Sequence, residues 1–134
     1  MKFNTEGLKA SSGSMTAEIS LPQRPFFQTT QVSRQTEDGA PYQVVLGISD
    51  VDGDQDTIAI WLPSNFAHGE SMVLWGTGLV RIENGGWPKL YGLQGKVIIQ
   101  EMSDPNRFFG RFELVGEAGL TVTGGVDIIG LDKP

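Results

Sequence analysis

Tyr42-Gln43-Val44-Val45-Leu46-Gly47-Ile48-Ser49-Asp50-Val51-Asp52-Gly53-Asp54-Gln55-Asp56-Thr57-Ile58-Ala59-Ile60-Trp61-Leu62-Pro63 decides the fold class. Tyr42, Val44, Leu46 and Ile48 fall on one face of an extended chain, because side chains alternate with period two along a strand. Ile58, Ile60 and Leu62 do the same in the second half, with Trp61 on the opposite face together with Ala59 and Thr57. Asp50 to Asp56 reads as a polar connection around Asp52-Gly53, a dipeptide suited to the positive φ angles of a tight hairpin turn. Pro63 closes the second strand.

The same grammar extends in both directions. Met15, Ala17, Ile19 and Leu21 share a face, ended by Pro22 and Pro25. Phe26 to Arg34 is a polar, proline-bounded strand candidate suited to a sheet edge, and Glu37-Asp38-Gly39 a turn. Met72 to Ile82 reads as one long strand carrying Trp75, Gly76 and Gly78, followed by the turn Asn84-Gly85-Gly86. Trp87 to Tyr91 reads as irregular, and Lys96 to Met102 as a strand. Two further strands run through Phe108–Leu114 and Leu120–Ile128. No sustained 3.6-residue period occurs. The expected fold is all-β: a single-domain antiparallel β-sandwich, or a closed or partly closed β-barrel, of about eight strands in a mainly meander connection. Glycines inside the strands (Gly47, Gly76, Gly78, Gly110, Gly124, Gly125) mark bends, with space for a ligand over the sheet as the functional alternative.

A chain of 134 residues fits one domain, assigned to 15–130. Residues 1–14 read as a flexible N-terminal segment, of vector origin on one reading, and 131–134 as a tail. The absence of cysteine excludes disulfides, thiolate metal sites and thiol catalysis. Ten basic residues scattered among sixteen acidic ones give a net charge of −6, which argues against nucleic acid as a partner. No apolar run approaches the ~20 residues of a membrane helix. Nor does the N-terminus carry the apolar stretch of a secretory leader, so a cytoplasmic location is the default expectation, a removed leader being invisible.

Two groups of residues are candidates for a site. Trp87, Tyr91, Trp61 and Trp75 are the aromatic ones: exposed rings can stack on a glycan or anchor a protein partner, and buried ones fill a core. The second group is Asp50, Asp52, Asp54 and Asp56, whose alternate spacing suggests weak Ca²⁺ binding. The spacing departs from an EF-hand, since Gln55 stands where glycine is required and Trp61 where a bidentate glutamate is required. The competing reading is a plain turn. His68, the single histidine, lies in a loop without a nucleophile motif, so catalysis by His68 or by carboxylates is the weakest expectation. The chain therefore reads as a non-catalytic binding module for a glycan, a small apolar ligand or a protein. The alternative is an assembly subunit that oligomerises through an edge strand.

Overall fold

The computed structural model describes residues 11–36 and 39–130. The described residues form ten strands: β1 (Ser12–Ile19), β2 (Phe26–Thr29), β3 (Val32–Thr36), β4 (Tyr42–Val51), β5 (Asp54–Pro63), β6 (Gly69–Val73), β7 (Gly78–Asn84), β8 (Trp87–Gln100), β9 (Arg107–Gly116) and β10 (Thr121–Ile129). They make one antiparallel sheet in the order β2-β1-β10-β9-β8-β7-β5-β4-β3, with β6 paired to the second half of β8. The sheet curls into a nearly closed barrel. Its local connections are the expected meander. The element that sequence spacing does not reveal is the antiparallel pairing of β1 with β10, from Ser12↔Ile129 to Ile19↔Val122.

The β4–β5 hairpin is tighter than a polar connection of seven residues. Val51 pairs with Asp54, so the turn is Asp52-Gly53 alone. Both have positive φ (50° and 88°), the mirror-image turn whose twist suits a two-residue hairpin. Other boundaries also differ from expectation, and the Phe26–Arg34 candidate is two strands, β2 and β3, at opposite ends of the sheet order. The run Met72–Ile82 is broken: β6 ends at Val73, and Leu74-Trp75-Gly76-Thr77 folds into a turn in which the Thr77 N–H donates to the Leu74 carbonyl (2.9 Å). Trp87–Tyr91 is regular, being the start of β8. β1 begins at Ser12, inside the segment expected to be a linker. The expected Glu37-Asp38-Gly39 turn falls partly, and the 131–134 tail and residues 1–10 fall wholly, outside the described residues.

Pro88 does not break β8 for a geometric reason. Asn84 and Trp87 flank the two-residue Gly85-Gly86 turn and form a hydrogen-bonded pair, so the next rung, Glu83↔Pro88, is a non-bonded one. The N–H that proline lacks would point away from β7. On that side β8 meets β9 only from Leu93 onward, so no ladder bond is lost.

The barrel interior is filled by side chains. Met15, Ile19, Phe27, Val45, Ile58, Ile60, Leu62, Val80, Ile82, Leu93, Val97, Phe108, Phe112, Leu114, Val122 and Ile128 belong to one buried cluster. β4 turns an unexpected face inward. Val45, Gly47 and Ser49 face the core, whereas the apolar row Tyr42, Val44, Leu46, Ile48 lies on the outer face with Ala59 and Trp61. The register to β5 imposes this, because Ile58, Ile60 and Leu62 point inward and the cross-strand partners of inward residues are inward. The inner position of Gly47 is also fixed by packing: a Cβ there would stand 2.8 Å from Met15 Sδ.

Inner-face glycines supply the curvature. A Cβ on Gly110 would lie 2.1 Å from the Ile98 carbonyl oxygen, and one on Gly124 2.0 Å from that of Thr16. Neighbouring backbone thus occupies the space a side chain would need, as expected where strands coil sharply.

Candidate functional site

Exposed large apolar side chains are concentrated in one stretch. Of the nine such residues, Met72, Leu74, Trp75, Trp87 and Leu90 fall within 19 consecutive positions, spanning β6, the β6–β7 turn and the β7–β8 hairpin. Cross-strand pairing places Trp75 and Leu90 beside an apolar row on the outer face, with Trp87 on the alternate face of β8. Leu46↔Ala59, Ala59↔Leu79 and Leu79↔Gly92 form one row across the outer faces of β4, β5, β7 and β8. The Trp75 ring closes this row: it lies 3.6 Å from the point where a Gly92 side chain would begin. An alanine Cβ at position 92 would meet the indole at ordinary van der Waals distance. Leu90, on the same face of β8 two residues earlier, is 65% exposed.

The four aromatic candidates therefore separate. Trp75 is half-exposed (52%) and held by its turn, in which the Leu74 N–H donates to Thr77 Oγ1 at 2.8 Å. Trp87 is 81% exposed at the end of the β7–β8 hairpin. Trp61 is half-buried on the outer face, opposite Val44, with its backbone N–H donating to the Thr77 carbonyl at 2.8 Å. Tyr91 faces inward and packs against the core cluster, with Lys89 Nζ 5.2 Å from its ring centroid. Trp75 and Trp87 are thus surface features, and Tyr91 is mainly a packing residue.

The acidic run is not gathered around one point. Asp50 lies on the outer face and accepts a hydrogen bond from Gln31 Nε2 at 2.9 Å. Asp52 forms the turn. Asp54 and Asp56 share the other face, and both support the neighbouring hairpin. The β5–β7 backbone ladder stops at Thr57↔Arg81, and side chains make the contacts beyond it. Asp56 Oδ1 accepts the Glu83 N–H (3.3 Å), and Glu83 Oε1 accepts the Gln55 N–H (3.2 Å). The two Asp54 oxygens accept the N–H groups of Gly85 and Gly86, each at 2.9 Å. No group of three or more His, Asp or Glu among the described residues is arranged to hold a metal ion. The structure does not bring the four aspartates together.

The electrostatics follow from these contacts. Asp54 is held below the usual aspartate value by the Gly85 and Gly86 N–H groups, which favour the charged form. Burial pushes Asp56, only 1% exposed, upward, against the opposing pull of the Glu83 N–H and Arg24. Arg24 reaches over from the β1–β2 loop: its Nε lies 2.7 Å from Asp56 Oδ2, and its terminal nitrogen donates to the Glu83 carbonyl and to Asn84 Oδ1. Sequence reading missed Arg24, Glu83, Leu74 and Leu90. Arg24 sits between two prolines in a loop, where no periodicity marks it, and its partners lie 32 to 60 residues away.

No family model matches the chain, nor does any curated protein or solved structure.

Elsewhere on the surface, β2, β1 and β10 carry an open groove of about 500 Å³ bordered by Phe26, Glu18, Gln28 and Thr123 and floored by Gly124 and Gly125. His68 is exposed, with Nε2 3.9 Å from Glu101. No helix of the described residues is long and apolar enough to cross a membrane.

Proposed function

We propose that this chain is a non-catalytic binding module that takes a protein partner on the surface made by the β6–β7 turn and the β7–β8 hairpin. The observation that carries the reading is that Met72, Leu74, Trp75, Trp87 and Leu90 are all exposed within 19 consecutive positions, with Trp75 and Leu90 on the outer face of the sheet and Trp87 on the alternate face at the end of the hairpin. Contiguous exposed apolar surface is the usual mark of a contact site. Trp is the residue type most enriched among energetically dominant contacts. A protein fits better than a glycan because the other exposed apolar residues of this stretch are leucine and methionine, where a sugar would need hydrogen-bonding groups beside the rings. An apolar ligand inside the barrel has little support, since the inward positions are filled by the core.

Assembly through an edge strand is less well supported. The terminal strands of the sheet, β2 and β3, are four and five residues long. Their polar groups are already engaged: Ser49 Oγ donates to the Gln28 carbonyl, the Ile48 N–H to the Gln31 carbonyl, and the Arg34 N–H to Ser11 Oγ. Such a seam offers few free groups for strand addition.

The test compares the immobilised chain with Trp75→Ala/Trp87→Ala/Leu90→Ser in capture from the source cell extract, with a glycan array in parallel. Proteins retained by the native surface and lost from the triple variant support the reading. Equal capture by both, or a glycan as the only ligand, refutes it. Sedimentation across a hundredfold range of concentration separates a foreign partner from a second copy.

A further inference from the structure

The Trp87 turn lies beyond the last backbone rung that ties β7 to β5, yet side chains from neighbouring elements hold it. Three elements hold it through side chains. From β5, both carboxylate oxygens of Asp54 take the Gly85 and Gly86 N–H groups, while Asp56 takes the Glu83 N–H. From the β1–β2 loop, Arg24 bridges Asp56, the Glu83 carbonyl and Asn84 Oδ1. Within the hairpin, Glu83 pairs with Arg81 (3.0 Å), and it also accepts the Gln55 N–H of β5. A two-residue hairpin end with no neighbouring strand is ordinarily among the first parts of a sheet to fray. Here every hydrogen-bond donor of the turn's two glycines is spoken for by one carboxylate, while Trp87 beside them stays 81% exposed.

We propose that Arg24, Asp54, Asp56 and Glu83 form a clamp that holds the Trp87 turn in one fixed position, so that the indole is presented already ordered to what it binds. Fixing a contact group in advance removes the entropy cost of ordering it on association. The clamp assigns a task to the acidic run that neither a plain turn nor a cation site provides. Asp54 is its central positioning residue, because it alone bonds the turn's backbone directly at both glycines.

The use of the clamp in binding rests on the function proposed above; the clamp itself is tested without any partner, so the two fail separately. The measurement is backbone ¹⁵N relaxation on the full chain at pH 7. In the native protein the Gly85, Gly86 and Trp87 amides should show order parameters near 0.85, like the β9 and β10 amides. In Asp54→Ala they should fall below about 0.6 while β9 and β10 stay unchanged. Asp54→Asn keeps one oxygen acceptor and should fall between the two. Arg24→Gln should loosen Glu83 and Asn84 more than the glycines. As a check independent of any variant, the Gly85 and Gly86 amides of the native protein should exchange at least about tenfold more slowly than in an unstructured chain. A turn already disordered in the native protein, unprotected glycine amides, or a turn equally ordered in Asp54→Ala would each overturn the clamp.

Discussion

Gly124 and Gly125 are neighbours in β10 that face opposite sides of the sheet, and they offer a sharp test of how the barrel curves. Gly124 points inward, where a Cβ would stand 2.0 Å from the Thr16 carbonyl oxygen, 2.7 Å from Ala17 Cα and 2.9 Å from Ala17 Cβ. Ordinary contact begins at 3.4 Å, so β1 must retreat by about 1.4 Å to admit alanine. Strands pair at about 4.8 Å, and a retreat of that size breaks the adjacent rungs. Two lost ladder bonds at about 1 kcal/mol each, with about 1–3 kcal/mol for overpacking, outweigh the 0.4–1 kcal/mol that Gly→Ala gains by restricting the unfolded chain. Gly124→Ala should therefore cost about 3 kcal/mol. Gly125 points outward, and its nearest contact would be the Gly110 carbonyl oxygen at 3.3 Å. Gly125→Ala should stay within about 0.5 kcal/mol of the native protein. Urea denaturation gives both values from the shift in midpoint at constant slope. Thermal melts should show a fall of roughly 10 °C for Gly124→Ala. Equal effects at the two positions, or a stable Gly124→Ala variant, would refute the account of curvature by backbone approach.

Four further outcomes are expected. Trp87→Ala should leave stability within about 0.5 kcal/mol of native, since a side chain 81% exposed in the folded state has little burial to lose; a loss of about 3–5 kcal/mol in a denaturant melt would show the ring to be a core residue instead. Asp56→Ala should cost about 3–5 kcal/mol by calorimetry, because it strands the largely buried Arg24 guanidinium and the Glu83 N–H. The pH dependence has a definite sign: the Asp54 carboxylate, held below the usual 3.8, contributes stability that is complete above that value and lost as pH falls through its lower folded-state value. The stability advantage of the native protein over Asp54→Asn should accordingly shrink in urea melts below pH 3.8, whereas Asp56, pushed up by burial, contributes in the opposite direction and loses its stabilisation as pH rises above 3.8. Adding or chelating millimolar Ca²⁺ should leave the melting temperature unchanged, since a ligand stabilises only in proportion to its occupancy of the folded state.

Local structure was legible where one residue type decides it. Asp52-Gly53 and Gly85-Gly86 announce two-residue turns because few other residues take two positive φ angles in succession. The all-β class and the meander followed from period-two alternation and short connections. What alternation could not decide was which side of a two-sided apolar strand faces inward. β4 carries apolar residues on both faces, and only its register to β5 makes Val45 and Gly47 inner residues and Leu46 an outer one. The break at Trp75-Gly76 was hidden because the flanking residues are good strand formers on either side of a turn. Of the aromatic candidates, Trp75 and Trp87 lie on the surface and Tyr91 turns to the core, a division that alternation along a segment reading as irregular did not reveal. The partners of Asp54 and Asp56, among them two glycine amides and an arginine, become their neighbours only when the sheet curls.

The β1–β10 seam has a consequence for synthesis. Met15, Ala17 and Ile19 find their sheet partners in residues about a hundred positions later in the chain. At ribosomal rates of about 5–20 residues per second, β1 waits roughly 5–20 s for β10 to be made. For that interval a strand with an apolar face has its final partner missing, while the hairpins between can form as they emerge. The nascent chain therefore passes through an open, curled sheet with a sticky margin. Closing that margin cannot begin until β10 has been made.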